Sequence, residues 1–277
     1  MTIPFGIPRL DSLIGGGAPP GSTVLLVGEP GAGAREFLYT CAAMNGVAKA
    51  ETDLFDLHYG DLHTNADLPP EIHYLSFTDG GDFIRGEMTE TMTDELVEAA
   101  APEIEFHDLS PEYFQLSPIP REWYMGETQT VTDLGGADRR EEILSAFGSE
   151  LTENAPGNLV LVDSVTDLLS GVGEDIEWTD VAMVMKGLTK VAHRWGGLIV
   201  LLVNGETLSE RQLGHFVDSV SGSLQFEWES GGSKRARTLF VRQFRGVLSR
   251  LEAENIVRFE TEIHDAGFDV SDVRKIR

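Results

Sequence analysis

Cysteine is almost missing from this chain. Cys41 is the only one in 277 residues, so no disulfide can close within it, and a lone thiol points to a reducing compartment, the cytoplasm. No run of 18 or more apolar residues occurs, which excludes a hydrophobic membrane-spanning helix. The opening MTIPFGIPRLDSL has neither the basic nor the apolar segment of a secretory leader, and none is expected. Positive charge is also short: 21 Lys+Arg face 46 Asp+Glu, a formal net charge of -25. A field of that sign repels nucleic acid and anionic membranes. The acids are spread along the chain rather than gathered in a tail, which reads as a solvated surface suited to a salt-rich cytosol.

What the chain does have is enough apolar material, 41% of its residues, for a substantial core. Short apolar runs at 22–28 (STVLLVG), 72–77 (IHYLSF), 158–164 (NLVLVDS) and 197–204 (GLIVLLVN) are hydrophobic on both faces, as strands covered on both sides must be. Helical segments are expected at Arg35 to Ala48, Thr89 to Ala100, Asp138 to Leu151 and Thr179 to Trp195. The alternation predicts an α/β fold, a doubly wound and mostly parallel sheet with helices on both faces, in one domain spanning 1–277. After about residue 215 the pattern becomes polar–apolar alternation around Gly231 and Gly232, which predicts an antiparallel C-terminal hairpin joined to the sheet edge, and NIVRFETEIHDAGFDV predicts a further short strand pair. The stretches 51–70 and 101–137, rich in Asp, Pro and turn residues, read as loop-rich insertions.

The segment VGEPGAGAREF (27–37) carries the chemistry. A strand, Gly28, four residues and Gly33 make the start of a phosphate-binding loop, in which a glycine-rich turn aims backbone N–H groups at phosphate oxygens at a helix N-terminus. The pattern then calls for Lys, which reaches the β- and γ-phosphates, and for Ser or Thr, whose hydroxyl holds Mg²⁺. Ala34 and Arg35 stand there instead. No shift by one residue restores the pattern, because Ala34 and Glu29 would then fall where glycines belong. LVLVDS places Asp163 at the tip of a buried strand, the position of a carboxylate that orients Mg²⁺ or its waters.

With these two elements in view, FGIPRLDSLIGGGAPPGSTVLLVGEPGAGAREF resembles the opening of KaiC-like proteins of the RecA superfamily, through Gly6, Ile7, Pro8, Leu10, Asp11, Leu13, Gly15, Gly16, Gly17 and Gly21. The resemblance continues through LVLVDSVTDLL, GLIVLLVN and DSVSGSLQFEWESGGSKRARTLFVRQFRGVL to GFDV, nearly the whole chain. It implies an ATP-binding RecA-type core with nucleotide held between the subunits of a ring or filament. It implies a phosphate loop of Gly28, Glu29, Pro30, Gly31, Ala32, Gly33, Ala34, Arg35 and Glu36, with Asp163 as the acid near magnesium. Hydrolysing relatives carry acidic residues after the strand matching YLSF; here Thr78 and the short Asp79 follow. The family's Lys-x-Arg-Gly element reads Gln243-Phe244-Arg245-Gly246.

Ala34, Arg35, Thr78 and Gln243 are thus the altered polar slots, and all four lie where a γ-phosphate and its metal would be stabilised. The expectation is a regulatory or assembly protein with a degenerate loop, weak binding of ATP or another nucleotide, and little hydrolysis. The competing expectation is an active ATPase in signalling, with Asp79, Asp163 and Arg245 as its catalytic candidates; a third is a recombination or DNA-repair accessory protein. Expected partners are further copies of this chain or a related RecA-fold protein. Arg35 reads as a surface residue of the first helical turn rather than as a substitute for the missing Lys. His58, Asp61 and His63 read as a solvated acidic loop, and the basic cluster at 233–237 as a partner for acids of a neighbouring subunit. Trp123, Trp178, Trp195 and Trp228 read as core or interface residues.

Overall fold

The computed structural model describes residues 1–115, 117–124, 140–171, 178–230 and 235–275. Nine strands form one sheet: β1 (Ser22–Gly28), β2 (Ile72–Ser76), β3 (Ile104–Asp108), β4 (Leu159–Asp163), β5 (Leu198–Asn204), β6 (Gly222–Ser230), β7 (Arg235–Phe244), β8 (Ile256–His264) and β9 (Gly267–Lys275). Their order is β3-β2-β4-β5-β1-β6-β7-β8-β9. The first six in that order are parallel neighbours, and β7, β8 and β9 continue the sheet antiparallel.

Successive residues of the central strands feed two separate cores, because side chains alternate across a sheet. Val24 and Leu26 of β1, Tyr74 of β2 and Val200 of β5 face one side, where helix Ala34–Ala50 and helices Gly81–Thr91 and Asp94–Ala100 pack. Leu25, Val27, Leu75 and Leu201 face the other, under helices Arg140–Asn154, Trp178–Trp195 and Glu210–Ser219. This is the doubly wound α/β arrangement expected from the double-sided apolar runs.

Three expectations change. The helix foreseen at Thr89 to Ala100 is two helices, broken where the Thr93 N–H donates to Asp265 O and Met92 bridges to Ala266. The stretch 51–70 contains helix Thr52–His58, and 101–137 contains strand β3 and helix Ser110–Phe114; its residues 116 and 125–137 lie outside the described residues. The antiparallel C-terminal hairpin joins the edge of the parallel part, as expected: β6 pairs in parallel with β1, from Val24↔Gly222 to Gly28↔Phe226, which leaves the strand that leads into the loop interior in the completed sheet. The last strand pair is not short, since β8 and β9 have nine residues each. Gly231 and Gly232, foreseen as the hairpin turn, lie outside the described residues, as do Ser233 and Lys234 of the basic cluster.

The GIPRLD segment is fixed by a buried carboxylate. Asp11 is fully buried; its Oδ1 accepts the Phe5 N–H at 2.9 Å, and its Oδ2 accepts those of Gly6 and Ile7 at 2.9 and 3.2 Å and the Tyr59 hydroxyl at 3.1 Å. Burial raises its pKa to about 7 against the opposing pull of these four donors. Asp11 therefore acts on structure, by satisfying the turn that enters helix Pro8–Ile14.

Candidate functional site

The loop between β1 and helix Ala34–Ala50 is shaped by close contacts that demand glycine. A Cβ on Gly28 would lie 2.6 Å from the Ala34 Cβ, and one on Gly33, whose φ is 108°, would lie 2.9 Å from the Phe268 ring. The back of the loop is tied to the hairpin. Trp228 Nε1 donates to Pro30 O at 3.0 Å, Arg237 Nε donates to Gly31 O at 2.9 Å, and the Arg237 guanidinium lies 4.7 Å from the centre of the Trp228 ring. Glu29 is also turned to the hairpin, its Oε2 accepting the Trp228 N–H at 3.0 Å. These bonds occupy loop carbonyls.

In front of the loop is a cavity of about 310 Å³, lined by Gly28, Glu29, Pro30, Gly31, Ala34, Arg35, Glu36, Ser164 and the end of β5 through Asn204. Its size and glycine lining fit a phosphate group. The lining charges are mixed, with Arg35 set against Glu29 and Glu36.

The decisive feature stands beside this cavity. Arg35 Nη2 is 3.0 Å from Asp163 Oδ1, while the Tyr74 hydroxyl donates to Asp163 Oδ2 at 2.9 Å. Both carboxylate oxygens of Asp163 therefore have partners from the chain itself, and the guanidinium stands between the hydroxyl slot of the loop and the acid at the end of β4. Burial raises the pKa of Asp163; Arg35 and Tyr74 oppose that rise, and Asp167 and Asp79 add to it. Burial works against the charge of Arg35, but Asp163 with Tyr39, Tyr74 and Asp167 overcomes it and raises the guanidinium pKa above its ordinary value. Burial and the charge of Asp163 also raise the pKa of Tyr74, keeping it a donor. Arg35 is exposed in the first helical turn, as expected, and does not stand in for the loop Lys; what the sequence did not show is that it is the ion-pair partner of Asp163. The residues present do not fit a magnesium ion as the loop pattern would hold it, because the hydroxyl is missing and an arginine holds the carboxylate.

Other foreseen residues divide. Asp79 lies near enough to raise the pKa of Asp163, and its Oδ2 accepts from the Thr78 hydroxyl at 2.7 Å. Arg245 is exposed and remote: it follows Phe244, which pairs with Gly222 opposite Val24, four residues or roughly 13 Å before the loop end of β1. It cannot meet this chain's own loop. Gln243 spends its side chain on Val217 O and Val220 O, inside the fold. Trp178 packs on Phe216 at 4.4 Å, and Trp123 is exposed. Among the described residues His58, Asp61 and His63 form no metal-binding group. Tyr74, Tyr39, Trp228 and Arg237 were not foreseen at the site: Tyr39 lies one turn after Arg35 in the same helix, while Tyr74, Trp228 and Arg237 arrive from distant strands that no local motif marks.

Over 98% of its length the chain is similar to 99% of the crystal structure of the KaiC-like protein PH0186 from the hyperthermophilic archaeon Pyrococcus horikoshii OT3, with a TM-score of 0.61 and 18% sequence identity. The fold matches that of a KaiC-like protein. At this identity the likeness carries the KaiC-like α/β fold, not an activity, and no family model and no curated protein matches the sequence. No helix among the described residues is long and apolar enough to cross a membrane.

Proposed function

We propose that this protein is a RecA-fold regulatory or assembly component whose loop binds nucleotide phosphate weakly, without Mg²⁺, and turns ATP over at no useful rate. The observation that carries the proposal is the Arg35–Asp163 pair at 3.0 Å. In a working phosphoryl-transfer site a metal neutralises charge on the β- and γ-oxygens, and a lysine reaches them. Here a fixed guanidinium supplies one positive charge at the metal's place, and nothing replaces the lysine. Backbone N–H groups and the dipole of helix Ala34–Ala50 remain to attract an anion. Loss of one preorganised charge at a transferring group costs ~3–4 kcal/mol, a factor of hundreds in rate.

Exposed Arg245, turned away from its own loop, supports the second half of the proposal: that the chain assembles with further copies or with a related RecA-fold protein and presents this arginine to a neighbour. The test is an ATP titration in molar KCl with and without Mg²⁺, paired with a phosphate-release assay. Weak binding that ignores Mg²⁺, with turnover no faster than buffer, is expected. Mg²⁺-dependent turnover that Asp163→Asn abolishes refutes the proposal and puts an ATPase in its place.

A further inference from the structure

On the other face of the sheet from Asp163, strands β2 and β3 bring together His73, Glu105 and His107. The register sets His73 opposite Glu105 and Leu75 opposite His107, so all three side chains share the face covered by helix Arg140–Asn154. His73 Nδ1 lies 3.0 Å from His107 Nε2 and 3.4 Å from Glu105 Oε2. His73 is buried, while Glu105 is largely exposed and opens the cluster to solvent.

The outward nitrogen of each ring decides what the inward ones can do. His73 Nε2 is 3.4 Å from Glu71 Oε2, and His107 Nδ1 is 2.9 Å from Glu150 Oε2. An ionised carboxylate only accepts, and a neutral imidazole has one N–H; Glu150 draws that of His107 to Nδ1, while His73 has a carboxylate at 3.4 Å from each of its nitrogens, Glu71 outward and Glu105 inward, so that an ion at the inward point moves its N–H to Nε2. Asn158 lies 3.5 Å from His73 Nε2, but its two amide hydrogens go to Glu71 Oε2 at 2.7 Å and Asn154 O at 3.0 Å. The inward His73 Nδ1 and His107 Nε2 then present lone pairs to each other and to the Glu105 carboxylate. Three electron-pair donors converge, and a cation is what such a point accepts.

We propose that His73 Nδ1, His107 Nε2 and the Glu105 carboxylate bind one divalent transition ion of the zinc type, with solvent in the fourth position. Ligands about 2.0–2.1 Å from a tetrahedral ion are about 3.3 Å apart, close to the 3.0 and 3.4 Å that separate His73 Nδ1 from its two neighbours, and all three ligand atoms lie within 4.8 Å of one another. Two imidazoles and a carboxylate suit zinc, cobalt or nickel rather than calcium or magnesium. A carboxylate behind each imidazole is the arrangement that fixes the tautomer and orientation of metal-bound histidines. The ion would clip the edge strand β3 to β2 and, through Glu150, to helix Arg140–Asn154. This site is separate from the phosphate loop, and its proposal stands independently of the nucleotide reading.

The test uses the full chain, stripped with a chelator and held in molar KCl so that surface acids bind little. Co²⁺ is the probe. One ion per chain with tetrahedral ligand-field absorption, displaced by one equivalent of Zn²⁺ that also raises the melting temperature, is expected. Glu150→Gln should weaken Zn²⁺ binding about tenfold with the Co²⁺ spectrum retained. Glu105→Gln, at an exposed position that spares the fold, should weaken binding and alter that spectrum. Only octahedral Co²⁺ in the native chain, or unchanged tetrahedral binding in His107→Gln, overturns the proposal; the first result would mean that the two rings share a proton.

Discussion

Replacing Arg35 by threonine removes the guanidinium from Asp163 and installs the short hydroxyl that a phosphate loop ordinarily carries. Unit charges about 4 Å apart attract by ~4 kcal/mol at an effective dielectric constant of about 20. The Arg35 side chain is 51% exposed, so solvent screens part of that attraction, and a net loss of about 2 kcal/mol is expected. The loss should depend on pH. Burial raises the folded-state pKa of Asp163, and Arg35 is the largest group opposing the rise. Stability tied to a raised carboxyl is fully present below the unfolded pKa, about 4, and is lost as pH rises through the folded value. Without Arg35 the folded value climbs further. Arg35→Thr should therefore match the native chain near pH 4 and fall behind towards pH 7. Millimolar Mg²⁺ should restore part of the loss in the variant, where it can take the guanidinium's place, and none in the native chain. Urea unfolding in molar KCl at several pH values, with and without MgCl₂, measures all of this. A deficit of equal size at every pH, or equal Mg²⁺ stabilisation of both proteins, would refute the idea that Arg35 serves as a built-in counter-ion.

Asp11→Asn sets an amide NH₂ against donors that now meet a carboxylate, and should cost about 2–3 kcal/mol in urea unfolding. Because burial raises the folded pKa of Asp11 to about 7, its contribution should fall as pH rises from about 4 to about 7, and the variant should lose that slope; an unchanged slope argues against it. With a net charge of -25 and a Debye length of roughly 30 Å at 0.01 M salt, the melting temperature should rise from dilute buffer to molar KCl, and a flat response would remove the salt-adapted reading. Arg245→Ala should weaken self-association by at most ~1 kcal/mol in sedimentation, and a native chain that stays monomeric at every concentration, alone or with a related RecA-fold protein, would remove the assembly reading.

The central strands were legible because each is a continuous apolar run, which only a strand covered on both faces requires. Strand β3 was not: IEFHD has one buried position, lies at the edge and is flanked by Pro102 and Pro111, so neither an apolar run nor clean alternation marks it. The altered slots Ala34 and Arg35 could be read from spacing within the loop, but the partner of Arg35 could not. Asp163 is 128 residues away, and only the pairing of Ser76 with Asp163 in neighbouring strands brings Tyr74 and Asp163 to the same face. His73 and His107 were invisible for the same reason: each is a lone histidine in an otherwise ordinary strand until the register aligns them.

The ties behind the glycine-rich loop have a consequence for how the chain is made. The bonds from Trp228 to Pro30 and from Arg237 to Gly31 span 198 and 206 residues, and β1 gains its second neighbour only with β6. At a synthesis rate of about 5–20 residues per second, the ribosome needs roughly 10–40 s after finishing the loop to deliver the hairpin that shapes it. The first motif translated is among the last completed, so a nascent or C-terminally truncated chain displays the glycines without the geometry. The order of synthesis and the order of completion are thus inverted for this loop: its backbone ties wait for β6 and β7.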